Sequence, residues 1–407
     1  MSNMMEHFST HNILKDCQHG FRSNRSCESQ LISLTQELHE HLEDKEQVDM
    51  IVLDFSKAFD KVGHKRLLKK LHNYGIRGNL LRWVLFFLLD RKQRVVVDGE
   101  HSEWVKMESG VPQGTVLGPI MFLAFINDLP DAVSSKVRLF ADDCVMYRTV
   151  KDDNDCNTLQ EDLNKLAEWE KKWLMSFNPS KCSTISITRK KKRITHDYSL
   201  HDQVLERTED ATYLGVQLNS QLTWTNHINR TCSKANRNLA FLKRNLPIKS
   251  QHVKVAAYKG IVRPVTEYCS PVWSPHQKKD IDQLETVQCR AARYVFHNYQ
   301  RKGSSVSGMI KELGWESLQQ RRARADMVNF YKVQHGLIAV QHPHILQRIQ
   351  RPKLETTNNF QKPFCSTYSY KFSFFPRSMR MWNKLDSSIS SLDSLTSFKA
   401  AISKLPL

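Results

Sequence analysis

Val137-Arg138-Leu139-Phe140-Ala141-Asp142-Asp143-Cys144-Val145-Met146-Tyr147 sets two adjacent acids between an apolar approach and an apolar exit. The flanks read as strands, and the acids fall where a hairpin would turn. Two carboxylates at one strand end repel each other, which is costly unless a cation neutralises them. A third acid, Asp54, ends the apolar run Met50-Ile51-Val52-Leu53 and opens Phe55-Ser56-Lys57-Ala58-Phe59-Asp60. Carboxylates carried on strand ends and converging in space are hard oxygen ligands for Mg²⁺, the metal of phosphoryl transfer. Acidic doublets also sit in ordinary solvated turns, and Asp152-Asp153 is read as one of these. What separates Asp142-Asp143 from it is the ordered series of motifs around it.

Between the two acidic sites lies Ser109-Gly110-Val111-Pro112-Gln113-Gly114-Thr115-Val116-Leu117-Gly118-Pro119, which leads into the apolar run Ile120 to Ile126. Glycine lets a backbone approach a ligand closely, and a loop entering a helix offers N–H groups to a polyphosphate. Taken alone, the loop is equally an ordinary strand-to-helix turn.

With Gln18-His19-Gly20-Phe21-Arg22-Ser23 upstream and Trp173-Leu174-Met175-Ser176-Phe177-Asn178-Pro179-Ser180-Lys181-Cys182 and Tyr213-Leu214-Gly215-Val216 downstream, the series resembles the reverse transcriptases of non-LTR retrotransposons, in particular the jockey and CR1-like group. Ile261-Val262-Arg263-Pro264 through Trp273, and Phe375-Pro376-Arg377 through Trp382-Asn383, are similar to that family's C-terminal region. The resemblance implies an α+β right-hand polymerase. Its expected parts are partial fingers over residues 1–47, a palm with an antiparallel sheet over 48–218, a helical basic thumb-like region over 219–300 and a basic, mostly helical C-terminal module over 301–407. It also implies an RNA-directed DNA polymerase that extends a primer 3′-hydroxyl with deoxynucleoside triphosphates by two-metal chemistry. Asp54, Asp142 and Asp143 are the expected catalytic acids and metal ligands, for two Mg²⁺ ions with Mn²⁺ as a substitute, and the Phe55 carbonyl is a further donor. Phe59 stands where the family places the bulky side chain that excludes a ribose 2′-hydroxyl; on periodicity alone it is a core phenylalanine. Gln113 and Gly114 are expected at the nucleotide, Arg22 at its triphosphate and Lys181 as a proton donor to the leaving pyrophosphate. Tyr213, Leu214 and Gly215 are expected to grip the primer. The implied partners are an RNA template, a DNA primer and deoxynucleoside triphosphates.

Two departures from the family shape the expectation. Seventeen residues precede Gln18, so part of the fingers is expected to be missing, and the endonuclease domain that usually accompanies this polymerase is not in the sequence. The reading is a truncated copy with a filled active site. Its alternative is a catalytically dead remnant that only binds RNA/DNA hybrid.

The 407 residues leave room for two or three domains. Nine cysteines without paired CxxC spacing argue for a reducing compartment and against a disulfide scaffold or zinc site. There is no signal-peptide pattern, and the run Trp83 to Leu89 is too short to span a membrane and reads as a buried helix. An intracellular protein, in nucleus or cytoplasm and without a membrane partner, is the expectation. Charge is unevenly spread. Residues 1–218 hold 30 Lys and Arg against 32 Asp and Glu, whereas 219–407 hold 30 against 10. A basic half beside an acidic metal cleft suits a protein that holds cations in the cleft and a phosphate backbone on its flank. Val48 to Leu53 and Ser183 to Thr188 read as strands, 158–177 and 281–296 as amphipathic helices, and Tyr213 to Leu218 as the closing strand. Arg189 to Arg193 is read as a solvated hairpin tip or an import signal.

Overall fold

The apolar run that ends at Asp54 forms the middle strand of a five-stranded sheet. A computed structural model describes residues 2–300, 305–340, 344–348 and 359–405. The sheet comprises β1 (Gln47–Leu53), β2 (Lys136–Phe140), β3 (Asp143–Val150), β4 (Ser183–Ile187) and β5 (Glu206–Arg207), in the order β5-β4-β1-β3-β2. β1 is antiparallel to both neighbours, β2 is antiparallel to β3, and the short β5 runs parallel to β4. Six of the seven β1 residues are buried, as a strand covered on both faces requires.

By packing, the chain divides into two units. One is Met1–Cys27 with Lys45–Leu214, and the other is Glu28–Asp44 with Gly215–Leu407. In the first unit, helices α1 (His64–Asn73), α2 (Gly78–Leu88), α3 (Leu117–Ile126) and α4 (Asp153–Trp173) contribute to the core beside the sheet. Every residue of α3 from Ile120 to Ile126 is buried. Asp152 accepts the N–H groups of Asn154 and Asp155 and caps α4, so the second acidic doublet is a helix start.

The Trp83–Leu89 run is helical within α2, but it is not buried as the sequence reading expects. Only Val84 and Leu88 of that helix are buried, and Trp83 and Phe86 are 50% and 70% exposed. A helix apolar on all sides can press only one face onto a core. Here that face is Leu81, Val84, Phe87 and Leu88. The expected single strand Tyr213 to Leu218 is also corrected. Asp210–Tyr213 and Val216–Asn219 are separate short strands, broken where Leu214 and Gly215 take φ of 46° and 77°. Two successive left-handed residues reverse the chain and cannot lie inside a strand. Arg189 to Arg193 lie in irregular chain, with Arg193 2.6 Å from Glu209.

The second unit is helical, built on Cys27–Glu43, Thr225–Asn245, Lys278–Phe296, Leu318–Gln334 and Phe374–Trp382. The expected boundary at 300/301 is not a break in its packing. Arg377 holds the buried Asp326 carboxylate with two nitrogens at 2.8 and 2.9 Å and donates to the Pro271 carbonyl at 2.8 Å. Residues 28–44, expected with the fingers, belong to this unit because Glu43 accepts the Ser366 and Thr367 N–H groups and Gln36 reaches the Tyr370 hydroxyl. Among the described residues no helix is long and apolar enough to cross a membrane.

α1 is fastened to the first unit by a buried cation. Lys70 Nζ donates to Asp128 Oδ1 at 2.6 Å and lies 3.5 Å from the centre of the Trp173 ring, and Trp169 Nε1 donates to the same carboxylate at 2.9 Å. Burial pulls the Lys70 ammonium down to about 8 against the attraction of Asp128. The folded chain holds this proton less tightly than the unfolded one, so the fold gains stability as pH rises from about 8 to 10.5. Lys70→Ala should lower unfolding stability by about 2–3 kcal/mol, through a carboxylate stripped of its cation and a lost stem beside three rings. Lys70→Met, which refills that volume, should cost about 1 kcal/mol. Urea titration of both variants checks this, and equal losses would mean that the charge, not the packing, dominates.

Candidate active site

The sheet register brings the two acidic motifs to one edge of the structure. Leu53 pairs with Cys144 at the end of the β1–β3 ladder, and Phe140 pairs with Asp143 at the end of the β2–β3 ladder. Asp54 therefore follows the last β1 residue beside the Ala141-Asp142 turn, opposite the start of β3. The turn is tight, with Ala141 at φ 53°. The Asp142 carboxyl is held above the usual carboxylate range by partial burial and by the Asp54 charge. Asp143 is pushed up to about 6, again by burial first and then by Asp142 and Asp54.

Asp54 is positioned from its other side by the segment after α4. Phe55 bridges antiparallel to Phe177, with the Asn178 N–H on the Asp54 carbonyl and the Ser56 N–H on the Ser176 carbonyl, each at 2.8 Å. The Phe55 and Phe177 rings stack at 4.2 Å. The motif that carries Lys181 is thus laid along the motif that carries Asp54. Lys181 Nζ comes within 3.8 Å of Asp54 Oδ1, with both side chains about half exposed. Glu170, buried on α4, accepts the Phe177 N–H and lies 2.8 Å from His201 Nε2.

The glycine-rich loop is anchored on residues 59–64. The N–H groups of Gly110 and Val111 donate to the Val62 and Phe59 carbonyls at 2.9 Å, and Ser109 Oγ donates to the Asp60 carbonyl at 2.7 Å. Gly110 has φ 89°, and a Cβ there would come within 2.9 Å of the Asp60 carbonyl oxygen, so a side chain is excluded twice over. His64 Nε2 lies 2.9 Å from the Gly110 carbonyl. Gln113 is exposed and donates to Asp60 Oδ1 at 3.1 Å, while Gly114 at φ 76° faces open space.

Four expected residues have other visible roles. Phe59 stacks on Phe122 at 4.4 Å and is only partly buried, so part of the ring packs and part stays open. Arg22 NH1 donates to the Lys15 carbonyl at 2.7 Å, which commits part of its fork to its own loop. Tyr213 and Leu214 are buried, which leaves the backbone as what their segment exposes. Asp60, His64, Ser109 and Glu170 were not singled out in the sequence. Glu170 alone left a signal there, being an acid in register with the inward Leu163, Leu166 and Trp169 of α4.

Among the described residues no group of three or more His, Cys, Asp or Glu side chains is gathered closely enough to hold a metal ion as it stands. The donor chemistry nevertheless fits Mg²⁺. Three hard carboxylates share one sheet end, two of them raised by burial and by the charge of neighbouring acids, and an ammonium stands beside the third.

Residues 1–218 match the family model described as reverse transcriptase (RNA-dependent DNA polymerase). The "Probable RNA-directed DNA polymerase from transposon BS" of Drosophila melanogaster is 30% identical over 305 residues, 70% of this chain and 33% of its own length. The "RNA-directed DNA polymerase from mobile element jockey" of Drosophila funebris is 30% identical over 294 residues, 68% of this chain and 31% of its own length. The chain thus spans about a third of the length of the curated relatives it matches. Among solved structures it is similar to apo telomerase from Candida tropicalis, with a TM-score of 0.42 and 10% identity over 82% of this chain and 53% of that one, a likeness too slight to carry an argument.

A carboxyl raised from 3.8 to about 6 holds its proton more tightly in the folded chain than in the unfolded one. Its charge therefore works against folding above about pH 6, and that penalty fades as pH falls towards 3.8. In EDTA, Asp143→Asn should raise Tm by about 1–2 °C at about pH 7.5, a figure discounted for the carboxylate's exposure, and the gain should vanish by about pH 4. Thermal scans across that range check it. A gain independent of pH would show that Asp143 carries no such repulsion.

Proposed function

The chain belongs to the reverse transcriptase (RNA-dependent DNA polymerase) family, and from that premise we propose that it is the RNA-directed DNA polymerase of a non-LTR retrotransposon. It extends a primer 3′-hydroxyl along an RNA template with deoxynucleoside triphosphates. The observation that carries this reading is the strand register, which sets Asp54 at the end of β1 opposite the start of β3, beside the Asp142-Asp143 turn.

Asp54 and Asp142 would hold two Mg²⁺ ions, with Asp143 tuning the site and the Phe55 carbonyl as a further donor. Bound there, the ions would supply Lewis-acid chemistry to the attacking hydroxyl and the leaving pyrophosphate. The chain's own residues orient and select. Lys181, already beside Asp54, places an ammonium from which the leaving pyrophosphate can take a proton. Gln113 and Gly114 lie on the anchored loop, where an exposed amide and an open backbone can meet the nucleotide. Phe59, backed by Phe122, supplies a rigid wall that would refuse a ribose 2′-hydroxyl while admitting deoxyribose. Arg22 would approach the triphosphate only by giving up its bond to the Lys15 carbonyl. Tyr213, Leu214 and Gly215 would present backbone to the primer. Template and primer would be held by the basic half of the chain, whose helix Thr225–Asn245 contains no acid. The nine cysteines lack the paired spacing of a disulfide scaffold, which supports an intracellular setting, nuclear or cytoplasmic.

Primer extension on poly(rA)/oligo(dT) with Mg²⁺ tests the reading, run beside an Asp142→Asn, Asp143→Asn double variant. Extension should fall by at least about 10³-fold in the variant. Equal extension by both would remove the assigned site, and hybrid binding without extension by either would leave a nucleic-acid-binding remnant. Phe59→Ala should raise ribonucleotide incorporation relative to deoxynucleotide by about tenfold or more in the same assay, and an unchanged ratio would leave Phe59 a packing residue only.

A further inference from the structure

The turn that carries the two adjacent acids is clasped from outside the sheet by the segment 17–20. The Leu139 N–H donates to the Cys17 carbonyl at 2.9 Å, and the His19 N–H donates to the Leu139 carbonyl at 2.8 Å, so this segment runs parallel beside β2. Within it, Gln18 is 2% exposed, and its Oε1 accepts the Gly20 N–H at 2.7 Å and the Ala141 N–H at 3.0 Å. Gly20 is pressed against the turn so closely that a Cβ there would run into the Ala141 nitrogen.

We infer that Gln18 is a positioning residue for the catalytic turn, and that its carboxamide oxygen, together with the bare backbone of Gly20, sets where Asp142 and Asp143 stand. This rests on the metal-site reading proposed above. Ala141 holds a left-handed φ of 53° without being glycine, and such a conformation persists only where its surroundings over-determine it. Gln18 supplies the bond that does so. The same carboxamide has a cost elsewhere: its Nε2 is buried with no hydrogen-bond partner. An apolar side chain would spare the orphaned Nε2 but strand the Gly20 and Ala141 N–H groups, so filling the space does not account for glutamine here. The two N–H groups that converge on its oxygen do.

The clasp acts on metal ligands through backbone, so its readout is cation affinity in the full-length chain. Mn²⁺ binding, followed by electron paramagnetic resonance, would be compared in wild type, Gln18→Met, Gln18→Glu, Gly20→Ala and the Asp142→Asn, Asp143→Asn pair, with hybrid affinity as a control. Gln18→Met removes the acceptor at similar volume and should weaken Mn²⁺ binding about tenfold. Gly20→Ala displaces the turn from the same side without removing an acceptor, and should do the same. Gln18→Glu keeps the acceptor and should stay within about twofold of wild type, as should hybrid binding in all of these variants. Mn²⁺ affinity unchanged in Gln18→Met or Gly20→Ala would overturn the inference, as would equal losses in Gln18→Met and Gln18→Glu. If the double aspartate variant binds Mn²⁺ as wild type does, the metal-site reading falls and the inference falls with it. Should Gln18→Met fail to fold, Gly20→Ala and Gln18→Glu still decide the matter.

Discussion

The antiparallel register between β1 and β3 is the constraint on which the rest depends. Side chains alternate faces along a strand, so a slip of one residue would exchange the two packed faces of β1 and shift Asp54 against the turn. The burial of Val48, Met50, Ile51 and Leu53 therefore defends more than a core. Apolar packing that tolerates no slip holds three mutually repelling carboxylates together. The packing supplies what the charges oppose.

Around that frame, each neighbouring motif contributes backbone bonds more than side chains. The segment 176–178 extends the ladder past Leu53, the glycine-rich loop is tied to 59–64, and residues 17–20 close over the β2–β3 turn. On two of these stretches an open side chain, Lys181 or Gln113, sits close to main chain that is already committed. The geometry can then be rigid where the chemistry needs position and open where a substrate has to enter.

The acidic motifs and strands were legible because each combines local chemistry with periodicity. Asp54 ends an apolar run, and Asp142-Asp143 interrupts another. What stayed hidden depends on long-range packing. Nothing in the order of residues 28–44 shows that Glu43 takes the N–H groups of Ser366 and Thr367, so sequence alone keeps the segment with its neighbours. The run Trp83 to Leu89 told that a helix forms but not which face finds a core, because apolar residues surround it. Within Tyr213 to Leu218, read as one closing strand, the backbone angles locate the reversal at Leu214-Gly215. Glu170 escapes a sequence reading because acids on helices are usually solvated.

The two margins of the central sheet have a consequence for the life of the chain in a crowded cell. A bare strand margin invites another molecule's backbone to add to it, the first step of much misassembly. Here the β2 margin is occupied by the parallel segment 17–20, and the opposite margin is a strand of only two residues, Glu206–Arg207, both charged. The clasp beside the acidic turn therefore also serves as a cap. A chain that lost residues 17–20 would uncover the flank of β2 and become a hazard to its neighbours.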